Sequence, residues 1–252
     1  IGDITMLAEV EPVVEQLLAA CEKKLGGKSK WDGKNKGRTS VVDTKYSALK
    51  AGDPISVEAL TLGMNEARKG RNITLANVPI GWAADGYHWT HPMDYRGNDA
   101  GGGLASGPGT AIGVGLGLMD SDRTPVAILG DGDTMQGSSA LWTAAHYSIP
   151  VLIIISNNRS NFNDEIHQET VAKMRNRPVE NRWIGQRIDD PEVDIGRYAA
   201  SLGVESAGPI TTIGDLVPAI EKGLKAVDAG KPYVLNVHVE KGYAVPPPAR
   251  EA

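Results

Sequence analysis

The sequence predicts an α/β fold, a mostly parallel sheet with helices on both faces. Two observations carry this prediction. Residues 124–129 and 151–155 are short, continuous apolar runs, the pattern of strands buried on both sides of a parallel sheet. Each run ends abruptly in polar residues, Gly130-Asp131-Gly132 after the first and Ser156-Asn157-Asn158 after the second. A helical stretch over 138–147, closed by Pro150, joins them into one β-α-β unit. That unit brings Asp131 and Asn158 to the same edge of the sheet.

The other elements follow in chain order. Val13, Val14, Leu17, Leu18 and Cys21 recur at helical spacing within 12–24, and Cys21 on the apolar side reads as a buried structural thiol. Residues 26–37 are rich in Gly and Lys and read as an exposed linker, their charge solvated rather than forming a patch for an acidic partner. From Pro54 the texture becomes a compact alternation of helix and strand. Ser56 caps a helix with Glu58 in its first turn, running to about Lys69. Residues 72–76 read as a short strand and 111–118 as a Gly-containing buried helix. The polar stretch from Asn158 to Pro191 is expected to be a long loop of the kind that serves as a lid. A helix over 194–202, a strand starting at Gly203-Val204, an amphipathic helix over 213–227 and a last strand over 233–239 complete the chain. His238 reads as a packed or edge histidine in that strand.

Composition bounds the function. The chain has 252 residues, 41% of them hydrophobic, which suffices for a sizeable core. A net charge of −5 argues against a nucleic-acid binder. One cysteine excludes an internal disulfide and fits a reducing cytoplasm. No apolar run approaches the length of a membrane span, and no signal peptide is visible. The first residues read as the end of a strand, so the chain is expected to continue upstream.

Asp131 and Asn158 stand 27 positions apart and offer a carboxylate and an amide oxygen at one sheet edge. Such a pair suits Mg²⁺, which prefers hard oxygen ligands and usually keeps a substrate phosphate in its shell.

Gly-Asp-Gly alone is a weak signal. With the two asparagines at this separation, and Ser160 two residues on, the pattern resembles the motif of thiamine-diphosphate-dependent enzymes. Ser139-Ala-Leu-Trp-Thr-Ala-Ala-His-Tyr-Ser-Ile-Pro150 is similar to the benzoylformate decarboxylase branch of the decarboxylase and acetolactate synthase superfamily. Gly102-Gly-Leu-Ala-Ser-Gly-Pro-Gly-Thr-Ala-Ile-Gly113 resembles that family's Gly-Gly-Leu-Gly segment. The likeness covers about residues 54–243. It implies a diphosphate- and Mg²⁺-binding domain over 54–243, preceded by the C-terminal end of a middle domain over 1–26 and a linker over 27–53. Residues 244–252 are then a tail, and the whole is the C-terminal part of a three-domain chain.

The resemblance also assigns residues. Asp131 and Asn158 would be side-chain Mg²⁺ ligands, and the carbonyl of Ser160 a third. Gly130, Gly132 and the amide of Asp133 would line the diphosphate. Leu104 would lie beneath the cofactor, and the carbonyl of Gly102 would accept a hydrogen bond from its amino group. Asn77 falls where relatives place a diphosphate-binding loop. Three departures stand out: Asp133 in place of a frequent Ser, small residues at Ser106, Pro108 and Gly109, and Asn161-Phe162 in place of an aromatic-Gly pair.

Other polar residues stay open between roles. His88 and His91 read as neighbours of the site or as packing, and no third ligand accompanies them for a metal. His146 reads as structural. His167 reads as facing the substrate or as a solvated loop residue, and Trp183 as a lid, a subunit contact or packing. A dehydrogenase of the Rossmann type does not fit, since the Gly-rich segment lacks the spacing and the acidic residue that chemistry needs.

What the resemblance implies is a lyase or carboligase acting on 2-oxo acids or aldehydes, a decarboxylase or an acetolactate-synthase-like enzyme. A 2-hydroxyacyl-CoA-type lyase and a catalytically silent cofactor-binding subunit are the alternatives. The glutamate that activates the cofactor lies in relatives on a pyrimidine-binding domain that no segment here resembles. The expected partners are therefore a small-molecule substrate, that pyrimidine-binding part, and further copies in a homodimer or homotetramer.

Overall fold

The computed structural model describes residues 7–26, 45–97 and 103–242. It divides into two compact units, Ile1–Thr39 and Ser40–Ala252. The first contributes one helix, α1 (Val10–Leu25), ended by Gly26 in the left-handed conformation at φ 54°. None of its side chains is fully buried, and Cys21 is exposed. The helical spacing forms a helix as expected, and the expected buried thiol is corrected, since Cys21 is exposed.

The larger unit contains a five-stranded sheet of β1 (Ile73–Asn77), β2 (Thr124–Gly130), β3 (Leu152–Asn157), β4 (Glu205–Ile210) and β5 (Tyr233–His238). Its spatial order is β1-β2-β3-β5-β4, and every pairing is parallel. Parallel strands need crossovers, and helices supply them: α2 (Val57–Arg68), α3 (Ser106–Gly117), α4 (Asp131–Gly137), α5 (Ser139–His146), α6 (Phe162–Met174), α7 (Ile195–Ser201) and α8 (Ile213–Asp228).

Strand periodicity sorts the core into two layers. Val126, Ile128, Leu152, Ile154, Tyr233, Leu235 and Val237 face α2 and α8, whose Leu60, Met64, Leu216, Ile220 and Leu224 cover them. Ala127, Leu129, Ile153, Ile155 and Val234 face the other way, against Ala111 of α3, Leu141 of α5 and Ala199 of α7. Both faces are covered, which is why β2 and β3 read as unbroken apolar runs. The Ser56 hydroxyl accepts the Ala59 amide at 3.1 Å and caps α2, as its sequence predicts.

Three boundaries differ from expectation. Helix begins at Asp131, directly after β2, and breaks at Ser138 into α4 and α5 rather than starting at 138. α3 starts at Ser106, five residues before the expected 111, because its N-terminus is capped from outside, as described below. The expected loop over 158–191 contains the 13-residue helix α6. That helix buries only Glu165, so it shows no apolar stripe to read. Its ends instead carry charges suited to the helix dipole, Asp164 and Glu165 in the first turn and Lys173 in the last. The expectations for 1–6, 27–44 and 243–252 concern residues outside the described ones. Among the described residues, no helix is long and apolar enough to cross a membrane.

Candidate functional site

Parallel strands end together, and here the C-terminal ends of β1, β2 and β3 open into a cleft of about 250 Å³. Asn77 comes from the end of β1, Gly130 to Asp133 from the β2–α4 junction, and Asn158 and Ser160 from the turn after β3. Leu104 lies at the rim, and Phe162 with Asp164 enters from the start of α6. Val78, Ile80 and Trp82 give the cleft an apolar wall on the β1 side. The structure thus gathers eight sequence-identified positions, Asn77, Leu104, Gly130, Asp131, Gly132, Asp133, Asn158 and Ser160, around one opening. Gly102 lies outside the described residues.

Asp131 is the electrostatic centre. Its side chain is 3% exposed. Burial pushes its carboxyl up to about 6, although the amides of Gly132 and Ser160 pull the other way. Those amides lie 2.9 Å and 3.1 Å from its oxygens. Among the described residues, no Lys, Arg or His forms an ion pair with it. A buried carboxylate compensated only by amides suits a cation.

Asn158 converges on the same point, its side-chain oxygen accepting the Ser160 amide at 3.0 Å. Arg159 between them stands at φ 57°, a left-handed conformation that turns the chain sharply after β3. Ser160 bridges to Arg187 in antiparallel fashion, with Asn161 donating to the Gln186 carbonyl and Ile188 to the Arg159 carbonyl. In such a pair the amide and carbonyl of the bridged residue face away from the partner strand, and the Ser160 amide there meets Asp131 and Asn158.

Two glycines border this opening. A Cβ on Gly130 would meet nothing within 4 Å and would project into open space. A Cβ on Gly132 would sit 2.3 Å from the Asn161 side-chain oxygen. Backbone is therefore bare on the cleft side of the β2–α4 turn.

Asp133 was expected to line the diphosphate through its amide, and its carboxylate was the unexplained departure. That carboxylate turns to α3, accepting the Ala105 amide at 2.7 Å and the Gly107 amide at 3.3 Å.

The remaining histidines lie outside the cleft lining. The Nδ1 of His91 accepts the Met93 amide at 3.0 Å and closes a short 3-10 turn. His88 is tied through its backbone to Arg68 and Asn65. His146 stacks on Trp142 at 4.7 Å. His167 sits exposed on α6, along a separate groove with Val171, Arg175 and Arg182. Trp183 is exposed, with the Arg187 guanidinium 5.0 Å from its ring. Desolvation lowers the His238 pKa despite Glu192, 3.3 Å from its Nε2.

Two features escaped the sequence reading. Glu165 is buried beside the site and accepts the Ser160 hydroxyl at 2.5 Å. Asp94 anchors the segment between β1 and α3 through Arg123 at 2.5 Å and the Thr90 and His91 amides. Both are charged residues within polar stretches, where no periodicity marks burial. Among the described residues, no three His, Cys, Asp or Glu side chains converge on a metal position.

Residues 79–237 match the family of thiamine pyrophosphate enzymes, C-terminal TPP binding domain, which is well over half of the chain. The chain belongs to this family. Among solved structures, this TPP-binding domain resembles a thiamine diphosphate-dependent 4-hydroxybenzoylformate decarboxylase from Rhodococcus jostii RHA1. The TM-score is 0.67 at 22% identity, over 86% of this chain and 37% of that one. Benzoylformate decarboxylase from Polynucleobacter necessarius gives a TM-score of 0.63 at 19% identity, over 83% of this chain and 38% of the other. At such identity the likeness concerns the fold, and the TPP-binding chain spans less than two fifths of either relative.

Proposed function

We propose that this chain binds thiamine diphosphate with Mg²⁺ at the β1–β3 cleft and forms half of the active site of a carbon–carbon lyase or carboligase. The observation that carries the reading is the buried Asp131 carboxylate, 3% exposed and, among the described residues, compensated only by amides. Asn158 shares the Ser160 amide with it, so two side-chain oxygens already surround one point. With the Ser160 carbonyl on that side, three oxygens suit Mg²⁺, which leaves room for diphosphate and water in an octahedral shell. This donor set contains only one carboxylate, in keeping with the absence of an acidic cluster among the described residues.

The rest of the chain's work is positioning. Gly130 and Gly132 leave the β2–α4 turn open for close approach of a diphosphate, with the first turn of α4 presenting backbone amides. Leu104, Trp82 and Ile80 give the cleft an apolar wall against which an uncharged ring system can rest. Bound there, thiamine diphosphate would supply the nucleophilic carbon and electron sink for making or breaking a bond beside a carbonyl.

The substrate class we propose is a 2-oxo acid, with decarboxylation as the leading reaction and acetolactate-synthase-like carboligation next. The similar solved proteins are named as benzoylformate-type decarboxylases, which supports this order. Residues 54–243 would form the diphosphate-binding domain and 1–26 the end of a preceding one. The pyrimidine-binding part, with its activating glutamate, would come from elsewhere in a homodimer or homotetramer.

The test is thermal. In the intact protein, thiamine diphosphate with Mg²⁺ should raise the Tm by more than either alone, because a ligand bound only to the native state stabilises it. Asp131→Ala should abolish that rise. A rise of wild-type size in the variant sinks the metal assignment. A panel of 2-oxo acids with product masses then decides the reaction.

A further inference from the structure

We infer that Glu165 is a positioning residue for the proposed metal site, acting through the Ser160 hydroxyl. The inference rests on the Mg²⁺ reading above and adds to it a residue that touches no ligand.

Glu165 is the one fully buried side chain of α6, at 2% exposure, in a helix whose apolar residues are all at least partly exposed. Buried carboxylates are costly, and an apolar side chain would often fill such a space with equal or better stability. What a carboxylate adds is a fixed acceptor. Its Oε1 takes the Ser160 hydroxyl at 2.5 Å. Two cations stand further off, Lys241 at 3.9 Å and Arg187 at 4.0 Å. They offset the charge through space while the short contact goes to Ser160.

Ser160 is therefore clamped from two directions. Its amide is shared by Asp131 and Asn158, and its hydroxyl is held by Glu165. The preceding residue, Arg159, is non-glycine in the left-handed region, a conformation that persists only where its surroundings enforce it. Glu165 supplies part of that enforcement. It fixes the rotation of the Ser160 backbone and so keeps the carbonyl on the side of Asp131 and Asn158. Glu165 itself does not line the cleft, whereas its neighbour Asp164 does.

The experiment titrates Mg²⁺ into the intact protein at saturating thiamine diphosphate, at a temperature where every variant is folded. Binding is read by calorimetry, with Tm measured separately. Glu165→Ala and Ser160→Ala should each raise the half-saturating Mg²⁺ concentration by about tenfold, the scale for residues that orient metal ligands. The double variant should be no worse than either single one, since both changes break the same contact. Glu165→Gln keeps an acceptor oxygen and should recover most of the affinity. A fall in Tm with unchanged half-saturation in Glu165→Ala overturns the inference, and so do additive effects in the double variant. Either result leaves the metal reading standing if the wild type binds. A wild type with no Mg²⁺ dependence overturns the metal reading, and this inference with it.

Discussion

The carboxylate of Asp133 accepts the backbone amide of Ala105, 28 residues earlier, at 2.7 Å, and that of Gly107 at 3.3 Å. α3 has no side-chain cap of its own, so a residue of α4 caps it from across the fold. This ties the first turn of α4 to the start of α3 beside Leu104. It also explains why α3 starts early through a stretch of Ser, Gly and Pro that contributes little apolar pattern.

Removing that cap should therefore cost stability and leave the ligand contacts of the backbone intact. Asp133→Ala should destabilise the fold by about 1 kcal/mol, the usual scale of a lost N-cap. That corresponds to a fall in Tm of roughly 2–4 °C for a domain of this size. Half-saturation by Mg²⁺ with thiamine diphosphate should stay within twofold of wild type. A collapse of cofactor binding with unchanged Tm would show that the carboxylate serves the ligand instead.

Ala105 itself stands at φ 80°, where an L side chain is strained. It occupies the last position of a segment that resembles Gly-Gly-Leu-Gly, so the family's glycine would sit here without strain. Ala105→Gly should stabilise the protein by up to about 1 kcal/mol, since relief of the left-handed strain outweighs the added freedom of the unfolded chain. Chemical denaturation should show a higher midpoint with an unchanged slope. A lower midpoint would mean that the methyl group packs usefully.

Much of this could be read from residues alone. β2 and β3 announced themselves because burial on both faces leaves no polar position in 125–129 or 151–155. Asp131 and Asn158 were legible because each directly follows such a strand, where side chains of a parallel sheet must converge. The role of the Asp133 carboxylate was not legible, because its partners, Ala105 and Gly107, are backbone amides that no side-chain pattern reveals. α6 was invisible for a related reason. It carries end charges and exposed pairs such as Glu169 with Lys173 at 2.5 Å and Arg182 at 2.7 Å, and no apolar stripe marks it. Buried Glu165 and Asp94 were missed because a carboxylate in a polar stretch reads as solvated until its partners are placed.

Gly130 separates ligand effects from fold effects. Its backbone, at φ −72°, is one that any residue can adopt, and a Cβ there would touch no other group. Gly130→Ala should change stability without ligand by less than about 0.5 kcal/mol, the range of a substitution that disturbs no packing. The methyl group would nonetheless occupy the space proposed for the diphosphate, so the Tm rise with thiamine diphosphate and Mg²⁺ should shrink or vanish. A full-sized rise in this variant places the diphosphate elsewhere.

Asp94 should govern part of the acid stability. It is 1% exposed, and burial alone would push its carboxyl up. The Thr90 amide, the Arg123 guanidinium, the Thr90 hydroxyl and the His91 amide outweigh that, and together they hold it down to about 2, against an ordinary 3.8. Arg123 in turn donates to the Thr74 hydroxyl at 2.6 Å and the Ile73 carbonyl at 2.7 Å, so the pair fastens the 90–95 segment to β1. A carboxyl whose folded pKa is depressed contributes stability in full above its unfolded pKa and loses it as pH falls toward the folded value. The Asp94 contribution should thus be complete above about pH 5 and fade between about pH 4 and 2. Asp94→Asn leaves the Arg123 guanidinium buried with its charge unpaired, which should cost about 3 kcal/mol at neutral pH. The gap in stability between wild type and variant, followed by denaturant unfolding from pH 7 downward, should narrow through that acid window. A gap that stays constant to pH 2 would show that the carboxylate charge of Asp94 does not stabilise the fold.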